Sequence, residues 1–209
     1  MPVLMYTEYM THDISPRTFV FFGIVGSGKG TQIQLLQKYI QEKDPTADVL
    51  WSYVGGEFRK LVENNNYTGL LVKERLEQGY LQPNFLGVSM FANTLITSLG
   101  KDTYLMTDGF PRTLAQAHFM ESILGFYGRT QVELIHIIVS RDEAIKRMKL
   151  RGRADDNDEG MKNRLDEYTN DVLPTIEHLR IKDGYTLHVI NGEQSIEGVH
   201  KDLIASLGI

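Results

Sequence analysis

The sequence predicts an α/β protein built on a doubly wound, five-stranded parallel sheet. Three observations carry that reading. Five short, nearly continuous apolar runs occur at 18–23, 48–53, 103–107, 132–139 and 185–190, the pattern of parallel strands covered on both faces. Stretches of helical periodicity separate them, as right-handed crossovers require. The first run empties into a glycine-rich turn, Gly-Ile-Val-Gly-Ser-Gly-Lys-Gly-Thr, from Gly23 to Thr31. In such a sheet ligands lie over the carboxyl ends of the strands, so chemistry is to be sought there.

Residues 1–17 show no periodicity and read as an N-terminal tail ahead of one domain spanning 18–209. After the first strand, the glycines of the turn free the backbone to curl, so that successive N–H groups point into one concavity. A helix opening near Lys29 adds the positive end of its dipole. Lys29 adds a mobile cation for the β- and γ-phosphates. Gly26, Ser27, Gly28, Lys29, Gly30 and Thr31 therefore form a P-loop for a nucleoside triphosphate, and the fold becomes a P-loop three-layer architecture.

Two intervals exceed a single crossover. Residues 55–98 must hold several helices, with breaks near Asn64-Asn65-Asn66 and at Gln82-Pro83-Asn84. Residues 141–180 hold two helical patterns split by a polar stretch at 152–158. In the second pattern Met161, Leu165, Tyr168, Val172, Ile176 and Leu179 recur at spacings of three and four, which predicts one amphipathic helix. These two helical inserts, 54–84 and 141–165, read as covers over a rigid sheet.

The third strand runs into Asp108-Gly109-Phe110-Pro111-Arg112-Thr113. An acid at that strand end faces the phosphate turn and can hold the waters of a magnesium ion. Gly109 admits a ligand close to the backbone, and Pro111 stiffens the turn that aims Arg112 at phosphate. In the late insert Arg147 and Arg151 share one helix face. Arg153 follows after one glycine, then Asp155-Asp156-Asn157, with Arg164 on the next helix.

Composition bounds the partners. The chain has 209 residues and a net charge of −5, which disfavours nucleic acid and membrane surfaces. It contains no cysteine, which excludes disulfides, thiol catalysis and cysteine-ligated zinc. The six histidines show no metal-like spacing. His136 and His188 lie inside strand patterns and read as hydrogen-bonded structural histidines. A cytoplasmic monomer acting on small-molecule nucleotides is the economical reading.

The phosphate turn and the Asp-Gly-Phe-Pro-Arg-Thr segment together resemble adenylate kinase, a member of the nucleoside monophosphate kinases. The resemblance runs from about Phe19 to the C-terminus. It implies reversible transfer of the γ-phosphoryl of Mg·ATP to AMP, with insert 54–84 binding the acceptor and insert 141–165 a very short lid. By resemblance, ATP is held by Gly26 to Thr31, Arg147, Arg151 and the loop near Gln194. AMP is held by Val54, Arg59, Gln82, Gly109, Arg112, Gln116, Arg153 and Arg164. Lys29, Arg112, Arg151, Arg153 and Arg164 are the implied catalytic cations. Asp155 and Asp156 order the lid arginines, Thr31 and Asp108 serve magnesium through water, and no zinc is implied.

This chain departs from the family pattern in several places. Tyr53-Val54-Gly55-Gly56-Glu57-Phe58-Arg59 stands where the family has Ser-Thr-Gly-Asp-x-x-Arg, so a threonine hydroxyl and a carboxylate are missing. Kinases of UMP and CMP also carry a small apolar residue at the Val54 position, whereas Gln116 favours adenine. Two alternatives stand beside AMP: a UMP/CMP or broad-specificity kinase, and a nucleotide sensor that has lost transfer. Only Gly152 separates Arg151 from Arg153, where short-lid relatives keep a longer loop.

Overall fold

Alternate residues of the first strand are buried against opposite layers, and the whole architecture follows from that. Phe19 and Phe21 pack into one apolar cluster; Val20 and Phe22 pack into another. In the computed structural model, which describes residues 17–64, 66–152 and 156–209, the strands are β1 (Thr18–Phe22), β2 (Val49–Tyr53), β3 (Tyr104–Asp108), β4 (Val132–Ile138) and β5 (Tyr185–Asn191). They form one sheet in the order β2-β3-β1-β4-β5, every pairing parallel. The predicted runs match these strands to within one residue at each end.

The helices are α1 (Lys29–Lys43), α2 (Val54–Glu63), α3 (Tyr67–Glu77), α4 (Asn84–Ser98), α5 (Leu114–Phe126), α6 (Arg141–Arg151), α7 (Asp158–Glu167), α8 (Leu173–Leu179) and α9 (Ile196–Leu207). Phe19 and Phe21 meet Ile33, Leu36 and Ile40 of α1 and Val199, Leu203 and Leu207 of α9. Val20 and Phe22 meet Phe91 and Leu95 of α4, Ala117, Met120 and Leu124 of α5, and Ile176 and Leu179 of α8. A third cluster (Ile24, Val139, Ala144, Met148, Met161 and Leu165) seats the late insert on the phosphate turn. Among the described residues no helix is long and apolar enough to cross a membrane.

Two details differ from expectation. The amphipathic helix expected through 161–179 is interrupted by a π-turn at Tyr168–Val172, where the Leu173 N–H reaches the Tyr168 carbonyl. Pro174 has no N–H to continue an α-helical ladder, and the wider turn absorbs the defect while the apolar face stays buried. Arg17, placed in the tail from sequence, is held by Glu133 and by the Leu207 carbonyl at 3.1 Å. Residues 1–16 lie outside the described residues.

Candidate active site

The phosphate turn is shaped by close packing as well as by glycine freedom. Gly26 has φ +88°, and a Cβ there would stand 2.8 Å from the Ala144 carbonyl of α6. Gly28, at φ +93°, caps α1 in the left-handed region without a side-chain acceptor, leaving the first N–H groups of α1 to a ligand. Ser27 is buried behind the turn, and its Oγ has no partner among the described residues. Lys29 folds back over the loop, Nζ donating to the carbonyls of Gly23 (2.7 Å) and Ile24 (3.2 Å). Burial lowers its pKa; Asp108 opposes that shift, while Arg112 and Arg151 add to it.

Asp108 ends β3 in register with Phe21 on one side and Tyr53 on the other, at the height where β1 enters the turn. Four residues on, Arg112 is buried enough to lower its pKa, with Glu167, Asp108 and Asp171 stabilising its charge and Arg164 opposing it. The Arg112 N–H donates to Gln116 Oε1 (2.8 Å), and Gln116 Nε2 donates to Asn84 Oδ1 (3.3 Å). The start of α5 thus fixes both residues on one side of a cleft of about 640 Å³.

The first insert contributes Val54, Arg59 and Gln82 to the same cleft. Arg59 donates to the Tyr53 hydroxyl, with its guanidinium 5.1 Å from the centre of the Tyr53 ring. Gly56 makes this possible, because a Cβ there would stand 2.7 Å from that ring. An aromatic therefore stands against Arg59 where the family has an acid, and among the described residues no carboxylate pairs with the guanidinium. Gln82 is buried and donates to the Val72 carbonyl at 3.2 Å, while its Oε1 has no partner among the described residues.

The second insert is organised by one carboxylate. Asp156 accepts a bidentate pair from Arg151 (2.7 and 3.0 Å) and a third bond from Arg164 (3.0 Å). Arg147 bonds Glu143 (2.7 Å) and the Gly192 carbonyl (2.9 Å), joining α6 to the loop after β5. Gln194 does not line the cleft; its amide bonds Asp202 (2.8 Å) and the Asn191 carbonyl (3.0 Å), so only its backbone is free to meet a base. Ser27 is likewise absent from the lining. Arg153 and Asp155 lie outside the described residues.

The two inserts touch. Asn157 and Asn163 donate to the carbonyls of Glu77 (3.1 Å) and Gln78 (2.8 Å), and the Glu167 carboxylate accepts from the Leu81 N–H. Burial raises the Glu167 pKa although the Leu81 N–H and Arg112 pull the other way. Below them, His136 of β4 bonds the Tyr168 hydroxyl of the π-turn at 2.5 Å. Burial, with Lys29 nearby, lowers the His136 pKa to about 4, so the imidazole is neutral at pH 7. Glu167, Tyr53 and His136 escape a sequence reading of the site. The one available signal is Glu167, three residues after Arg164 on the same helix face.

Six cations (Lys29, Arg59, Arg112, Arg147, Arg151 and Arg164) line this cleft, with Asp108 the sole carboxylate in the described lining. Phosphotransferases of the nucleoside monophosphate kinase class concentrate charge this way, over a P-loop between two inserts, and this chain is one of them. A family profile described as adenylate kinase matches residues 21–183. The chain is 31% identical to adenylate kinase 1 of Nostoc sp. over 190 residues, covering 90% of this chain and 97% of the relative. It is 36% identical to an adenylate kinase of Parabacteroides distasonis over 185 residues, covering 83% and 93%. With an adenylate kinase of Bacteroides thetaiotaomicron identity is 34% over 189 residues, covering 88% and 94%. The chain belongs to the adenylate kinase family.

Asp156→Asn weakens the anchor of both lid arginines. It is expected to lower kcat at least about tenfold, the equivalent of losing one charge-assisted hydrogen bond; steady-state kinetics with an unchanged kcat would refute the role given to Asp156. His136 supplies a pH test. Because its folded pKa is depressed to about 4 from 6.5, the unfolded chain takes up the proton first. Its contribution to stability is full above the unfolded pKa and is lost as pH falls from 6.5 towards 4. Denaturant titrations of wild type and His136→Gln should therefore diverge across that window, the wild type losing more; parallel curves would contradict the assignment.

Proposed function

We propose that the protein catalyses reversible transfer of the γ-phosphoryl group of Mg·ATP to AMP. The observation that carries this reading is the distribution of the six cleft cations. Lys29, Arg147 and Arg151 stand on the donor side, Arg59 and Arg112 on the acceptor side, and Arg164 joins the lid arginine through Asp156. A single-nucleotide binder has no use for the second set.

In this reading ATP lays its phosphates along Gly23–Thr31, on the N–H groups at the start of α1, and its base stacks on Arg147 beside the backbone near Gln194. AMP enters between Val54, Gln82, Gly109 and Gln116, its phosphate on Arg59 and Arg112. The acceptor is already an anion, so no general base is required. The barrier falls because the two phosphates are held in line and cations cover the charge on the equatorial oxygens. Lys29 leaves its two carbonyl partners for the transferring group, while planar arginine forks grip the oxygens bidentately. Contact between the inserts excludes water, the competing acceptor.

The residues present fit a magnesium ion. Asp108 and Thr31 offer the hard oxygens it prefers, both in the lining of the cleft. A Cβ at Gly30 would meet nothing within 4 Å, so the turn has room for a hydrated ion. Asp108 and Thr31 would hold it through water, and the ion would supply charge neutralisation between the β- and γ-phosphates. The protein then acts as a cytoplasmic monomer on free nucleotides, with residues 54–84 the acceptor insert and 141–165 the lid.

A panel of AMP, CMP, UMP and GMP with Mg·ATP tests this reading through the diphosphate formed. AMP is expected to be the preferred acceptor. Preference for CMP or UMP would show that Val54, rather than Gln116, sets the base; no transfer to any acceptor with ATP binding intact would overturn the kinase reading. Arg112→Ala is expected to lower kcat by about 10³-fold with little change in ATP affinity.

A further inference from the structure

Outside the cleft, α5 and α8 bring together three metal-ligating side chains from parts of the sequence that carry no metal motif. His118 and Glu121 are three residues apart on α5 and so share a face. His178 of α8 closes against them. One ligand atom from each of the three lies within 4.8 Å of the other two. The two imidazoles stand edge to face with centroids 4.8 Å apart. His178 Nε2 is 2.8 Å from Glu121 Oε1, and Lys182 Nζ donates to Glu121 Oε2 at 3.0 Å. His118 is exposed and makes no hydrogen bond among the described residues, whereas Glu121 and His178 are half-buried. None of the three lines the nucleotide cleft.

We propose that His118, Glu121 and His178 form a binding site for a divalent transition metal of the zinc class, tying α5 to α8. Two imidazole nitrogens and one carboxylate oxygen make a tetrahedral zinc set with the fourth position open to water. Imidazole favours zinc, nickel or copper over magnesium. In a tetrahedral set the ligand atoms stand roughly 3.3 Å apart, given bonds of about 2.0–2.2 Å. His178 and Glu121 are already inside that distance, and the unbonded His118 side chain supplies the remaining movement. The ion takes the place of the proton between His178 Nε2 and Glu121 Oε1. Lys182 remains on the other carboxylate oxygen as the outer partner that orients it.

The absence of cysteine excludes thiolate zinc sites and leaves this kind open. The two helices also have a functional setting: α5 opens just after Arg112, and α8 continues through the π-turn from the helix carrying Arg164. A metal between them braces the middle of α5 against the end of α8 without entering the reaction.

The test uses the untagged full chain, stripped with chelator and free of nucleotide. Zinc chloride is titrated calorimetrically and the thermal midpoint followed in parallel, with magnesium chloride as the comparison. One zinc per chain is expected, with a midpoint raised by a few degrees, and no such response to magnesium. His118→Ala should weaken zinc binding by at least about tenfold, while the metal-free midpoint changes little, because exposed His118 has no hydrogen bond to lose and only the ring contact with His178 goes. No saturable one-to-one binding would overturn the proposal. So would undiminished affinity in His118→Ala, which would put the zinc elsewhere and leave His178, Glu121 and Lys182 as an ion-pair network only.

Discussion

The structure depends on holding a group of cations together against their mutual repulsion at the carboxyl end of a buried sheet. Burial alone opposes this, as the lowered pKa values of Lys29 and Arg112 show. The devices that meet the cost are neutral or shared. Lys29 rests on two carbonyls, Arg59 on a phenol, and Arg151 and Arg164 divide one carboxylate. Among the described lining residues six cations face one carboxylate, Asp108, a balance that suits a polyanionic phosphate ligand. A chain of net charge −5 carries its positive charge where the reaction needs it.

Shape follows from the same constraint. β1 passes into α1 through a turn of glycines, and Gly26 packs so closely on the Ala144 carbonyl that a Cβ has no room there. β3 must lie beside β1, since Asp108 is in register with Phe21. The two inserts meet through Asn157, Asn163 and Glu167, which bond the backbone of residues 77–81. The π-turn at Tyr168–Val172 sits where the lid-bearing helix passes over His136, and it lets Pro174 remain without breaking the buried face.

Much of this was legible in the sequence, for physical reasons that differ by element. The strands were, because doubly covered parallel strands are apolar runs of a length few other elements share. The phosphate turn was, because its glycines answer to backbone geometry and its lysine to phosphate charge, directly after an apolar strand. The end of α2 at Glu63 and the start of α4 at Asn84 were, because asparagine and proline act locally. What escaped depends on distant packing. Tyr53 reaches the arginine six residues on only because Gly56 leaves its ring room. The π-turn is silent in a pattern that merely counts apolar spacing. Glu167 acquires meaning from Leu81, far away in the chain. His118, Glu121 and His178 lack any sequential motif, and α5 and α8 alone unite them.

The central claim is that the cleft delivers the phosphoryl group to a second nucleotide and not to water. Following the label from γ-labelled ATP with magnesium, in the presence and absence of excess AMP, tests it most directly. The account requires label to appear in ADP when AMP is present, with little free phosphate in either case. Release of labelled inorganic phosphate at the same rate with and without AMP would contradict it.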